Sequence, residues 1–463
     1  LAIQIKKNIN LARSFYDNGH LDLAKKYLNE IFLEFPEQPE ALKLMSFVML
    51  LEGDINNAIN LLIKYLNKNP YDDEAHMNLA TSYFNTNKVS EAISCINKSI
   101  EINPNNAQAY FNRGTFHANE KIFNLALDDF NSAISINPMY AEAYNNRGYI
   151  YKEFNDLEKA IKDFDYAIKI NDSYCDPKLN KSIIYLYKKL FGQGWNLYEN
   201  RLKSSKNLNP FVLNKPIKTQ DVDANKRILI LGEQGIGDNI LYSSMLEECS
   251  RKNNVDILLD IKLVDLFKRS FPNLTFIARD SLIDPTIYDY ELPIGSLGLF
   301  YRNSINQFKS QPIGYLRADK YRSEKIKSYI KNNLKSDQKK ICGISWRSKN
   351  NTHGDSKNIE LESLVPLFKL EQFFFINLQY GNVSNELREF SLKYGVVVHE
   401  IPNIDIYNDI DGLVALVDAC DLVVTTSNVT AHIAGSINKE TCLIAPKVLG
   451  SIWYWHEFDE NSI

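Results

Sequence analysis

The sequence predicts an all-α solenoid followed by a pair of α/β, Rossmann-like lobes, and three observations carry that prediction. Prolines fall at Pro36, Pro70, Pro104 and Pro138, each 34 residues after the last, with Asp172 at the next step. From Arg227 the pattern changes to short apolar runs alternating with amphipathic stretches, the signature of parallel sheets covered on both faces. A polar, charged stretch at 319–340 divides this second part in two. The expected organisation is a solenoid over 1–202 with five repeats, an incomplete sixth and a cap. A linker follows over 203–226, then a first lobe over 227–339 that includes the interlobe stretch, and a second lobe over 340–463.

Counted from residues 5, 39, 73, 107 and 141, each repeat places a small residue on its second helix: Ala24, Ala58, Ala92, Ala126 and Ala160. Two helices cross closely only where a side chain is this small. The proline stops the second helix because it cannot continue the hydrogen-bond ladder. Tyr83, Tyr110, Tyr144, Tyr151, Phe130 and Phe164 recur at helical spacing and read as core between helices. This period and these marks resemble the tetratricopeptide repeat (TPR). The sixth position of each unit reads Asn10, Leu44, Asn78, Asn112 and Asn146, with Asn180 extending the row. In TPR stacks that position faces the concave groove, and an amide there can donate to and accept from an extended peptide backbone. The same row is also what a common repeat consensus produces, so peptide groove and consensus residue both stand. In TPR-bearing protein O-GlcNAc transferases a similar row holds acceptor proteins.

Composition narrows the classes. A formal net charge of −4 and a pI near 6.1 give no global pull toward nucleic acid or an anionic membrane. No apolar stretch approaches the roughly 18–20 residues that span a bilayer. The six cysteines are scattered without a C-x-x-C pair, as in a reducing compartment. With no visible signal peptide, a cytoplasmic location is expected. The chain opens on Leu1, so a natural N-terminus is expected upstream.

After the fifth repeat comes Gly192-Gln-Gly-Trp195-Asn-Leu-Tyr198-Glu199-Asn-Arg201. Read alone, Trp195 and Tyr198 cap the last core face of the solenoid. The segment also resembles the G-x-W-x-x-Y-E-x-R signature that ends the array in bacterial TPR–glycosyltransferase fusion proteins. Residues 203–226, with Pro210 and Pro216, read as linker.

Apolar runs at Ile228–Leu231, Val255–Leu259, Leu274–Ile277, Ile341–Ser345, Phe373–Leu378, Val396–Val398, Leu422–Val424 and Thr441–Ile444 are the expected strands. The first leads into Gly232-Glu-Gln-Gly235-Ile-Gly237-Asp238-Asn239. Glycines permit a sharp turn and close approach, and a following helix start offers free N–H groups. The spacing is neither a dinucleotide fingerprint nor a P-loop. It is very similar to the G-E-Q-G-x-G-D segment of the same fusion proteins. In the related heptosyltransferases the acid at the place of Asp238 is the catalytic base, with Gly235, Gly237 and Asn239 in the acceptor loop. A carboxylate can take an acceptor hydroxyl's proton, and an Asp after a glycine turn can equally be a helix cap. Both readings of Asp238 stand.

In the second lobe, Arg347 and Lys357 lie past the end of a predicted strand, where a nucleotide diphosphate would lie. Later, Asp421-Leu-Val-Val-Thr-Thr426-Ser427-Asn428-Val-Thr430-Ala-His432-Ile-Ala-Gly435 reads as strand, turn and helix, with Ser427 or Thr430 as cap. N–H groups of such a turn can hold pyrophosphate without a metal. The stretch resembles the families' D-T-x-x-x-H-x-A-G segment, with His432 at their histidine. Ser427 and Asn428 replace the usual Asp-Thr, which puts the donor-sugar contact in question. The family's further tryptophan–tyrosine–proline segment is expected beyond Ile463.

The resemblance implies a GT-B type pair of Rossmann-like lobes and transfer of a hexosyl or heptosyl group from a nucleotide-sugar to a protein or glycan. It implies inversion, with Asp238 as base and the donor diphosphate at Arg347, Lys357, Ser427, Asn428, Thr430 and His432. No metal or cofactor is expected, because no D-x-D motif stands where a metal-bound diphosphate needs one. The competing expectation is a non-catalytic TPR scaffold whose α/β half has kept only its fold.

Overall fold

The computed structural model describes residues 2–203, 215–216, 225–309, 311–333, 339–348, 357–446, 454, 457–458 and 461–462. They fall into two compact units: Leu1–Lys152 with Asp156–Pro177, and Glu153–Asn155 with Lys178–Ile463.

The first unit is built of helical hairpins in the predicted register: α1 (Ala2–Asp17) and α2 (Leu21–Glu34), α3 (Pro39–Leu51) and α4 (Ile55–Leu66), α5 (Asp73–Asn85) and α6 (Val89–Ile102), α7 (Ala107–Asn119) and α8 (Phe123–Ile136), α9 (Ala141–Glu153) and α10 (Leu157–Ile170). Ala24, Ala58, Ala92, Ala126 and Ala160 are all 0% exposed, as close helix crossing demands. The side chains of Asp54, Asp72, Asn106 and Asp156 accept backbone N–H groups at the starts of α4, α5, α7 and α10. Such caps stabilise a helix end by about 1 kcal/mol. Gly19, Gly53, Asn87 and Lys121 recur at the same place in the turn between the two helices, and each has a left-handed φ, at 76°, 80°, 61° and 60°. The conformation repeats although the residue changes, so it left no mark in the sequence pattern.

Two joints between helices are polar. Arg113 donates from Nε and Nη2 to the buried Asp129 carboxylate and from Nη1 to Asn97 Oδ1 at 2.7 Å. Arg147 repeats this with Asp163 and Asn131, one repeat later. Each arginine thus ties its own hairpin to the second helix of the one before. The glycine after each arginine admits an aromatic ring: a Cβ on Gly114 or Gly148 would lie 2.9 or 2.8 Å from the ring of Phe130 or Phe164.

The second unit holds two four-stranded parallel sheets. The first has β1 (Arg227–Leu231), β2 (Asn254–Leu259), β3 (Thr275–Ala278) and β4 (Tyr290–Pro293) in the order β3-β2-β1-β4. The second has β5 (Lys340–Ser345), β6 (Phe373–Asn377), β7 (Leu422–Thr426) and β8 (Thr441–Ile444) in the order β6-β5-β7-β8. The central strands are almost wholly buried, as expected for sheets covered on both faces. The charged stretch at 319–340 contains a helix, Lys320–Asn333, that packs on the helix Ile410–Ala419.

Three expectations need correction. β4 was not among the predicted strands; it is short, ends on a proline and buries Glu291. The predicted strand at Val396–Val398 does not form; only the next residue, His399, bridges β6, and Val397 is exposed. The seam, expected to belong to the solenoid, belongs to the second unit. Trp195, 1% exposed, donates its indole N–H to the Arg302 carbonyl at 2.8 Å, and Gly298 leaves space for its ring. Trp195 and Tyr198 therefore pack in the second unit, whose boundary lies near residue 177 and not at 202. Of the linker, Lys203, Lys215, Pro216, Asn225 and Lys226 are among the described residues; Pro216 bridges Glu291 of β4.

Candidate functional site

β1 runs into the turn Gly232–Gly235 and the helix Ile236–Ser243. Gly232 is required for close packing, since a Cβ there would meet Asn239 Oδ1 at 2.7 Å. Asn239 is buried and donates from Nδ2 to the carbonyls of Glu233 and Gly235 at 3.0 and 2.8 Å. It shapes the turn from behind. Asp238 stands three residues into the chain after Gly235 and accepts the Gly235 N–H at 3.1 Å. It closes the helix start from within the first turn, while Gly235 occupies the cap position.

Gly237 is one of the places where elements of the two sheets' regions meet. A Cβ there would lie 2.8 Å from the His432 ring. His432 belongs to the helix Val429–Ser436, which follows β7. Tyr454 packs against the same histidine with ring centroids 5.1 Å apart. Lys357 completes the cluster; it is 8% exposed and makes no hydrogen bond or ion pair among the described residues. Its charge is felt by both Asp238 and His432.

The electrostatics follow from burial. Desolvation raises the Asp238 pKa to about 6; Glu233 adds to this, and the Gly235 N–H and the Lys357 charge oppose it. Burial, reinforced by Lys357, lowers His432 to about 4, so its imidazole is neutral near pH 7. Burial lowers Lys357 as well, against the pull of Asp238. A carboxylate of raised basicity and a neutral imidazole thus lie within the electrostatic reach of a buried lysine that has no hydrogen-bond partner among the described residues. Such a set can remove a proton and meet an incoming anion.

The other residues singled out in the sequence are placed differently. Arg347 follows β5 and pairs through Nη2 with Glu386. Its backbone N–H, with that of Trp346, donates to Gln379 Oε1 at 2.7 and 2.9 Å. Asn428, and not Ser427 or Thr430, caps the helix Val429–Ser436: its Oδ1 accepts the Thr430 and Ala431 N–H groups at 2.9 and 3.4 Å. An amide can do this and also donate, and Asn428 Nδ2 reaches Ser345 Oγ and the Arg347 carbonyl at 2.8 and 3.1 Å. Two N–H groups expected to face an anion are therefore taken by the helix's own cap. Ser427 and Thr430 are buried.

In the solenoid, Asn10 is exposed, Asn78, Asn112 and Asn146 are half-buried, and the row is interrupted by buried Leu44. Asn112 accepts from Gln108 Nε2 at 2.8 Å and donates to Thr81 Oγ1 at 3.4 Å. Asn146 accepts from Asn145 at 3.2 Å. Asn180 belongs to the second unit.

Four neighbours of the cluster were missed: Glu233, Arg201, Gln379 and Tyr454. Glu233 and Arg201 lie inside the two quoted motifs, but nothing in either motif says that they pair.

Tetratricopeptide repeat models match residues 49–111 and 141–174. Protein FlbA of Caulobacter vibrioides is 26% identical over 265 residues, which is 53% of this chain and 44% of that protein. The chain thus spans less than half the length of that relative. Among solved structures, MamA matches at 22% identity with a TM-score of 0.34, over 37% of this chain and 94% of that one. YrrB, described as a TPR protein with an unusual peptide-binding site, matches at 22% identity with a TM-score of 0.33, over 38% of this chain and 90% of that one. The chain carries tetratricopeptide repeats, a scaffold that binds protein or peptide partners. No helix among the described residues is long and apolar enough to cross a membrane.

Proposed function

We propose that this chain is a TPR-containing glycosyltransferase that moves a sugar from a nucleotide-sugar donor to a protein or glycan acceptor with inversion and without a metal. The observation that supports it most is the meeting of Asp238, Lys357 and His432 at the junction of two parallel sheets. In this reading the sheet pair is of GT-B type, with the ligand outside the carboxyl ends of the strands. Asp238 takes the proton of the acceptor hydroxyl as its oxygen attacks the anomeric carbon, and the nucleoside diphosphate departs. The Lys357 ammonium meets the charge on the leaving diphosphate. Neutral His432 offers a hydrogen bond beside it, and the solenoid presents a protein acceptor.

A panel of UDP-, GDP- and ADP-sugars tests this. Because the Asp238 pKa is raised to about 6, the base form is gained as pH rises through that value. The acid limb of kcat/KM should therefore have its midpoint near 6. Asp238→Asn should lower kcat by roughly 10²–10⁴-fold. Purified protein that neither binds nor turns over any member of the panel would sink the proposal.

One observation favours a non-catalytic scaffold instead. Asn428 is spent on a cap and Arg347 is paired with Glu386, so two expected donor contacts are engaged within the protein. Donor binding without turnover, unchanged by Asp238→Asn, is the result that selects this second reading.

A further inference from the structure

We propose that Tyr198 and Arg201, which lie outside both sheets, are positioning residues that hold the Gly232–Gly235 turn and through it the Asp238 carboxylate. The chemical role of that carboxylate rests on the transferase reading; the mechanical link does not.

The link can be followed bond by bond. Gln234 sits at a left-handed φ of 58°, which disfavours a non-glycine residue by roughly 1–2 kcal/mol. Something must hold it there. Its side-chain amide is exposed at the mouth of the site, and its Nε2 donates to the buried Tyr198 hydroxyl at 2.9 Å. Tyr198 in turn shares a hydrogen bond of 3.1 Å with Tyr242 on the helix that carries Asp238. The residue before, Glu233, is 2% exposed, and its carboxylate receives Arg201 Nε at 3.1 Å and the Gly295 N–H at 2.9 Å. Glycine at 295 makes this possible, since a Cβ there would lie 2.7 Å from Glu233 Oε1. Arg201 Nη2 also reaches Ser296 Oγ at 2.9 Å, and its Nη1 reaches Glu199 at 2.7 Å. On the far side, Gly235 gives its N–H to Asp238. Glu233, Gln234 and Gly235 are each fixed, two of them by the seam.

A buried ion pair can serve stability alone, so the test must read Asp238 itself. Tyr198→Phe removes only the hydroxyl; the ring keeps its edge contact with Trp195 and its place under Arg201. Gln234→Ala removes the other end of the same bond from an exposed position, so it tests the link even if Tyr198→Phe fails to fold. Carbon-13 NMR of aspartate-carboxyl-labelled full-length protein would follow the titration of Asp238, assigned by its loss in Asp238→Asn. With the turn released, the half-buried carboxylate becomes better hydrated, and the midpoint should fall by about half a unit or more in both variants. The double variant should shift no further than Tyr198→Phe alone, because that variant already removes the Gln234 bond along with the one to Tyr242. If nucleotide-sugar turnover is present, Tyr198→Phe should lower kcat about tenfold with KM within about twofold, the mark of a misplaced group. An unmoved midpoint in folded variants overturns the proposal. A moved midpoint with no turnover in the parent protein upholds the link and overturns the transferase reading instead.

Discussion

Repeats two and three of the solenoid and repeats four and five share one backbone and close their joints by different means. In the earlier pair, Met45 and Leu79 on the first helices pack in apolar clusters that include Leu61 and Cys95 on the second helices. At the equivalent places, repeats four and five carry Arg113 with Asp129 and Arg147 with Asp163. A second pair of positions changes in step. Ser46, Ala80, Gly114 and Gly148 become smaller as Leu62, Ile96, Phe130 and Phe164 become broader. Apolar joints tolerate any neighbour of suitable shape, whereas a guanidinium fork needs its carboxylate and amide in register. The later repeats are therefore specified against mispairing in a way the earlier ones are not.

That contrast can be broken. Asp163→Ala leaves Arg147 without its carboxylate in a largely buried setting. Breaking such a pair typically costs about 3–5 kcal/mol, less here because Arg147 keeps Asn131 and some water. Amide hydrogen exchange over α9 and α10 should show the loss, with α3 to α6 unchanged. The four tryptophans all lie beyond the solenoid, so tryptophan fluorescence should follow the second unit and remain as in the parent. Gly148→Ala comes next: the new methyl meets Phe164, and overpacking costs about 1–3 kcal/mol, part of it offset by alanine's better helix propensity. A smaller shift in the same exchange measurement is expected. Exchanging the pair Arg113 and Asp129 for the Leu and Cys of repeat three should matter least. Replacing a whole ion pair by apolar residues is often neutral, and urea unfolding followed by circular dichroism should move little. A large loss there would mean that the polar joints supply stability and not only register.

Much of this architecture could be read beforehand, for physical reasons. The alanine and proline periods are imposed by helix crossing and helix ending, and both left single-residue marks. The buried strands showed as apolar runs. β4 did not, because Glu291 and Pro293 contradict the usual strand composition, while Val396–Val398 looked like a strand without a neighbour to complete it. Asp238, Lys357 and His432 were each visible as motif residues, yet their meeting depends on how two sheets pack, which no local pattern encodes. The choice of Asn428 as cap turned on its second role as a donor to Ser345. The Arg201–Glu233 pair spans 32 residues of sequence and joins two motifs that read as separate.

The left-handed residue in each hairpin turn gives the array a mechanical polarity. Opening the hairpin at Gly53 releases no strain, because glycine is indifferent to the hand of the backbone. Opening it at Lys121 lets a strained residue relax, by roughly 1–2 kcal/mol. The turn at Lys121 thus acts as a weak spring set against the polar joint of its own repeat. Under tension or heat, the fourth hairpin, once its arginine fork is lost, is pushed apart by its turn, while the second merely loosens.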